Sequence, residues 1–147
     1  MRVVDLYRRQ EKTISVEFTP PRNGSSLDDF DASASRLRGI ASYASITHGA
    51  GGALRGGTLP LAARLQDRHG LPCLPHISCR WMSREQAECM VMDARYLGLE
   101  SILALRGDPP SGSNGAVSHP DSHPSASDFV DHLARIRLGE YMRNQVW

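Results

Sequence analysis

Glu17, Thr47, His76, and the pair Arg106 and Asp108 each stand at or near the end of a short apolar segment. A carboxylic acid or an imidazole can give or take a proton, and a hydroxyl can orient a ligand. An arginine suits an anion, and a carboxylate favours a developing positive charge. The first three and Arg106 recur at intervals of about 30 residues, the length of one strand-plus-helix unit. For that chemistry to be shared, the intervening elements must bring these positions to one place.

The elements are legible. Segments 13–18 (TISVEF), 43–47 (YASIT), 73–78 (CLPHIS) and 101–105 (SILAL) have strand character. Helical patterns lie between and after them. Ser26 with Asp29 resembles a capping box, with Leu27, Phe30, Ala34 and Leu37 following and Gly39 as the stop. Thr58 opens a second, with Pro60 in its first turn and Gly70 at its end. Ser83 with Gln86 caps a third, in which Ala87, Met90, Val91, Ala94 and Leu97 follow the 3.6-residue period up to Gly98. A fourth runs from about Ser127 through Phe129, Val130, Leu133 and Ile136 to Gly139. Alternation of this kind gives α/β architecture with a parallel sheet and right-handed crossovers. The carboxyl ends of all strands then lie on one rim, where Glu17, Thr47, His76, Arg106 and Asp108 become neighbours. The Gly-rich turn His48-Gly49-Ala50-Gly51-Gly52 and Gly107 would let backbone approach a ligand, but neither has dinucleotide-fingerprint spacing. Residues 109–126, rich in Gly, Ser, Pro and His, read as a flexible loop in an otherwise single domain spanning 1–147.

Bulk properties narrow the class. Forty per cent hydrophobic and 22% charged residues over 147 suit one soluble globular domain. Seventeen basic against sixteen acidic residues, net +1, predict neither a nucleic-acid nor a membrane surface. The basic set is arginine apart from Lys12, which reads mainly as coding bias. No run approaches the ~20 apolar residues of a membrane span, and the N-terminus lacks a signal's apolar region. Cys73, Cys79 and Cys89 then read as reduced thiols of a cytoplasmic protein. Cys73-x-x-His76-x-x-Cys79 is a poor metal motif, because in a strand His76 faces away from both cysteines. His119 and His123 have i, i+4 spacing, yet the flanking prolines exclude the helix that spacing needs.

The strings SVEFTPPR, ASITHGAGGALRGGT, LPHISC, SILALRGDPP and ASDFV, in that order, resemble the methylenetetrahydrofolate reductase family over roughly residues 13–134. The resemblance implies a flavoprotein (β/α)₈ barrel of the TIM type, with FAD as cofactor and NADH or NADPH as hydride donor. The implied activity is reduction of 5,10-methylenetetrahydrofolate to 5-methyltetrahydrofolate. It implies Glu17 as the general acid, partly buried with a raised pKa, and Asp108 beside flavin and folate, where its charge favours a cationic iminium. Thr47, His48, Ala50, His76, Leu105, Arg106, Gly107, Asp108 and Ala126 become the flavin contacts. Glu17 and Asp108 also become the folate contacts.

Two departures stand out: His48 occupies a position where many members have Tyr, and Ser125 one where another aromatic is expected. The larger departure is extent. Where the family continues into a fifth strand, this chain reads LARIRLGEYMRNQVW. The expectation is therefore four of eight barrel units, a truncated half-barrel. It would be completed by a second copy as a homo-oligomer or by a separate C-terminal half, or else be an inactive remnant with weak or no flavin binding.

Overall fold

The computed structural model describes residues 2–9, 12–53, 55–109 and 118–143. Four strands, β1 (Ser15–Phe18), β2 (Tyr43–Ile46), β3 (Cys73–Ser78) and β4 (Leu103–Leu105), form one parallel sheet in the order β1-β2-β3-β4. A helix follows each: α2 (Asp28–Arg36), α3 (Thr58–His69), α4 (Arg84–Tyr96) and α5 (Ala126–Arg137). The α/β class and its four parallel units agree with the sequence. The first and fourth strands begin two residues later than expected. A further short helix, α1 (Val3–Arg8), precedes the sheet and has no counterpart among the sequence expectations.

Pairing register assigns the two faces. Val16 pairs with Ala44 and Ala44 with Cys73; Phe18, Ile46 and Pro75 form the next row, and Ile77 pairs with Ala104. This face packs with Phe30, Leu61, Leu65, Ala87, Ala94 and Phe129 from the helices as the core. Ile46, Leu65, Ile77 and Phe129 are wholly buried, each contributing roughly 1.5–3 kcal/mol relative to exposure. The opposite face carries Glu17, Ser45 and Leu74 in one row, with His76 paired to Leu103 and Ser78 to Leu105. None of α2, α3, α4 and α5, which pack on the core face, covers that face. At its lower end α1 closes it, with the Tyr7 and Tyr43 hydroxyls 2.9 Å apart and the Val3 N–H donating to Ser101 Oγ at 3.0 Å.

Helix ends show which local signals operate. At α4, Ser83 Oγ accepts from the Gln86 N–H and Gln86 Oε1 from the Ser83 N–H, a complete capping box. At α2 the expected box is absent. Ser26 Oγ accepts instead from the Asp28 N–H, two residues on, and Leu27 takes the cap position. An acidic first turn of Asp28, Asp29 and Asp31 favours that end in its place. Asp31 also binds Arg64 of α3 through both carboxylate oxygens, which holds its carboxyl well below the ordinary range. Gly70 ends α3 in the left-handed region, with its N–H on Gln66 O and that of Leu71 on Leu65 O.

The stretch expected as a flexible loop, 109–126, is described at 109 and 118–126. Residues 110–117 lie outside the described residues. Residues 118–125 run back along the sheet's carboxyl rim: the His119 N–H donates to Arg80 O at 2.8 Å, and the Arg84 N–H to Asp121 O at 3.0 Å. Ser125 caps α5, which begins at Ala126, and Ser125 Oγ accepts from the Asp128 N–H at 3.1 Å. No helix among the described residues is long and apolar enough to cross a membrane.

Candidate functional site

The carboxyl rim is held by hydrogen bonds that run past the last regular strand residues. The Cys79 N–H donates to Leu105 O at 3.0 Å and the Arg80 N–H to Arg106 O at 2.9 Å. Ser78 Oγ donates to the same Arg106 oxygen at 3.1 Å, and Arg80 Nε to Gly107 O at 2.9 Å. Backbone just beyond β3, with the side chains of Ser78 at its end and Arg80 past it, therefore carries the Arg106-Gly107-Asp108 turn. Gly107 sits at φ 91°, a region that L side chains avoid. Asp108 is exposed and makes no hydrogen bond or ion pair to any described residue. Arg106 is also exposed, and Leu105 is half-buried on the open face.

At the other margin, Glu17 on β1 faces Ser45 and His76. Ser45 Oγ donates to Glu17 Oε2 at 3.4 Å, and His76 Nε2 lies 3.7 Å from the same oxygen. The Glu17 side chain is 58% exposed, so the enclosure expected around this acid is missing. Its strand is a sheet margin, with no neighbouring strand on the far side among the described residues. His76 is buried. Burial pulls its pKa below the ordinary imidazole value, with the Glu17 charge opposing, so the ring is neutral at neutral pH.

Between these margins lies the β2 end. The Thr47 N–H donates to Phe18 O at 3.0 Å and Thr47 O accepts from Thr58 Oγ1 at 3.0 Å, which fixes the backbone. Thr47 Oγ1, however, is buried without a partner. His48 Nδ1 accepts from the Ser78 N–H at 3.0 Å, so its proton sits on Nε2; burial, then the nearby His76, lower its pKa. Ala50 is exposed in the short 3₁₀ turn Ala50–Gly52, entered through Gly49 at φ 64°. Ala126 is the first residue of α5.

The structure thus pairs Glu17 with His76, His48 with Ser78, and the 106–107 turn with Ser78 and Arg80. Glu17 and Asp108 stand on opposite margins, separated by three interstrand steps of about 4.8 Å, or ~14 Å across the sheet. That gap is wide enough for a flat ligand between a proton donor and a carboxylate. Three participants were not singled out from sequence: Ser45, Ser78 and Arg80. The strand alternation that selects His76 also puts Ser78 on its face, and that signal was available. Arg80 had none, because its role depends on the chain that returns at Arg106.

His123 lies outside any helix, as its flanking prolines require. It is buried, its Nε2 lies 2.9 Å from His132 Nδ1, and His132 Nε2 lies 3.1 Å from Glu88 Oε2. This chain ties residue 123 to α5 and α4. Cys73 and Cys79 are buried, and the Cys73 thiol is pushed up to about 12 by burial, which keeps it protonated and inert. No group of three His, Cys, Asp or Glu side chains suited to a metal occurs among the described residues.

A parallel α/β sheet with acid, imidazole and hydroxyl side chains gathered on its carboxyl rim has the architecture of one part of a parallel α/β barrel, with its candidate site built from strand-end loops. The family model described as methylenetetrahydrofolate reductase matches residues 2–146, and the chain belongs to that family. The family's fold is the TIM barrel, of which four strand–helix units are present here. The chain is 31% identical over 146 residues to the methylenetetrahydrofolate reductase (NADH) 1 of Arabidopsis thaliana, covering 96% of this chain and 24% of the relative. It is 32% identical over 124 residues to the 5,10-methylenetetrahydrofolate reductase of Pectobacterium carotovorum subsp. carotovorum, covering 84% of this chain and 40% of the relative. The match to the Escherichia coli K12 enzyme of the same name has the same identity and coverage. The chain thus spans less than half the length of each of these relatives.

Proposed function

We propose that this chain carries the flavin- and folate-facing rim of a methylenetetrahydrofolate reductase. The observation that carries the reading is the pair of unmatched polar groups on the rim. Thr47 Oγ1 is buried with no partner, and Asp108 is presented with none among the described residues. Native proteins seldom leave a buried hydroxyl unsatisfied, so a ligand that supplies its partner fits. Thr47, His48, Ala50, His76, Leu105, Arg106, Gly107, Asp108 and Ala126 would hold FAD, through the glycine-opened turns at 49–52 and 107. Bound FAD would supply a hydride carrier between NADH or NADPH and the folate.

The remaining chemistry falls to side chains. Glu17 in its acid form gives a proton to a nitrogen of the methylene bridge of 5,10-methylenetetrahydrofolate. The carbon–nitrogen bond then breaks, the electron pair stays on nitrogen, and the five-membered ring opens to an iminium cation that accepts hydride. Asp108, ionised and facing the same gap, favours that cation. Ser45 and His76 hold the Glu17 carboxyl toward the open face. With free thiols and no membrane-crossing helix among the described residues, the cytoplasm is the setting that suits this chemistry.

A second reading has its own support. Glu17 is 58% exposed, and the outer edges of β1 and β4 are unpaired among the described residues, so the rim alone would bind flavin weakly and leave the acid wet. The two readings separate on one experiment. The full chain is mixed with FAD, passed through gel filtration, and scanned for flavin absorbance. Retained colour that NADH or NADPH bleaches and 5,10-methylenetetrahydrofolate restores supports the enzyme. Absence of retained flavin supports the non-catalytic reading. The elution volume reports whether a second copy completes the sheet.

A further inference from the structure

Arg80 is the one arginine buried among the described residues, at 7% exposure. No carboxylate pairs with it there, and its Nη1 is buried without a hydrogen-bond partner. A guanidinium removed from water without a counter-charge is costly. What it holds instead is backbone: its own N–H meets Arg106 O and its Nε meets Gly107 O, each at 2.9 Å. Two successive carbonyls of the turn therefore point at Arg80.

The peptide between Gly107 and Asp108 is trans and planar, as are all described peptides. With its oxygen turned to Arg80, its N–H points the opposite way, and no described residue accepts from it. A cation bonded to the carbonyl also polarises the amide, which strengthens that N–H as a donor.

We propose that Arg80 is a positioning residue for Asp108. It clamps the 106–107 carbonyls, sets the carboxylate at the rim, and presents the polarised Asp108 N–H to an acceptor atom of the bound ligand. The ligand half of this statement rests on the reading of the rim as a flavin site. The clamp itself does not.

The test uses the full chain with R80M, which keeps the aliphatic bulk, and R80K, which keeps one charged donor. Amide hydrogen exchange at residue 80 reads the clamp without any ligand, with the Leu61 amide, bonded to Gly57 O in α3, as internal control. In R80M the residue-80 amide exchanges at least about tenfold faster, the Leu61 amide is unchanged, and R80K falls between. Unchanged protection at residue 80 in R80M overturns the proposal. Should R80M not fold, R80K decides by the same comparison, and protection equal to wild type overturns it.

FAD affinity, read by fluorescence titration, supplies the second arm. R80M weakens binding by about tenfold in the wild-type background and by less than about threefold in D108N, because the two act through one turn. Losses that simply multiply overturn the positioning role. If the unmodified chain binds no FAD, the flavin reading fails, and the exchange arm alone decides Arg80.

Discussion

Gly107 and Ser78 approach so closely that a β-carbon at 107 would lie 1.8 Å from Ser78 Oγ and 3.1 Å from Ser78 Cβ. The contact joins the two strand ends that carry the turn, and Gly107 is at φ 91° as well. Gly107→Ala therefore meets two penalties, a steric one and a backbone one. Urea denaturation should show a loss of at least about 1–3 kcal/mol. Adding Ser78→Gly removes the clash and leaves the strained φ, so the double variant should recover part of that loss. Full tolerance of Gly107→Ala would mean that the turn is not held as described.

Under the proposed function, Glu17→Gln should separate two half-reactions. The amide keeps the shape and the Ser45 contact but cannot deliver a proton. Flavin reduction by NADH or NADPH should persist within about twofold, while methylenetetrahydrofolate reduction falls by about 10²–10⁴-fold, the usual value of a general acid. Stopped-flow absorbance follows both. Loss of both half-reactions would mean that Glu17 supports the rim rather than the chemistry.

The sheet was legible because its signals are local and periodic. Apolar segments with helical patterns between them gave the strands and their order, and Gly70 with the Ser83–Gln86 box marked real helix boundaries. What misled was context. Ser26 and Asp29 have the residue types of a capping box, but the acidic first turn and Leu27 settle the helix one step later. His123 reads from sequence as part of a polar loop because its partner, His132, is brought to it only by α5, where that ring in turn meets Glu88 of α4. Glu17 is expected to be partly buried because the resemblance implies a closed barrel around its strand, whereas β1 is the margin of the described sheet and the side chain is 58% exposed. Arg80 became meaningful only beside the turn that it holds.

Three histidines make stability depend on pH in one direction. His48, His76 and His123 all have native pKa values below the ordinary 6.5, with burial the leading cause in each. His76 further disfavours the charge on His48, while Glu17 partly offsets burial at His76. Around His123, His132 and Arg84 add to burial in opposing protonation, while Asp128 and Asp121 favour it and offset the others only in part. The unfolded chain therefore binds more protons than the native one below about pH 6.5, and stability rises with pH through that window. The contribution is complete above the unfolded value and is lost as pH falls through the depressed native values. Denaturation midpoints between about pH 8 and 5 should fall steadily below pH 6.5. Replacing His123 with Gln should shallow that slope, and a slope unchanged by the substitution would remove His123 from the account.

Thr47→Val tests whether the rim is built for a ligand. The substitution is close to isosteric and deletes a buried hydroxyl oxygen that has no partner. If that hydroxyl waits for nothing, Val relieves a desolvation cost and changes nothing else. If it serves bound flavin, two measurements move oppositely. Stability of the ligand-free chain should hold or rise by up to about 1 kcal/mol, since an unmade hydrogen bond is not lost. FAD affinity should fall by about five- to tenfold, the net value of one hydrogen bond. Backbone contacts of residue 47 to Phe18 O and from Thr58 Oγ1 do not involve the side chain, so the fold gives no other route to that divergence. Equal FAD affinity in both proteins, measured by fluorescence quenching, would take Thr47 out of the flavin site.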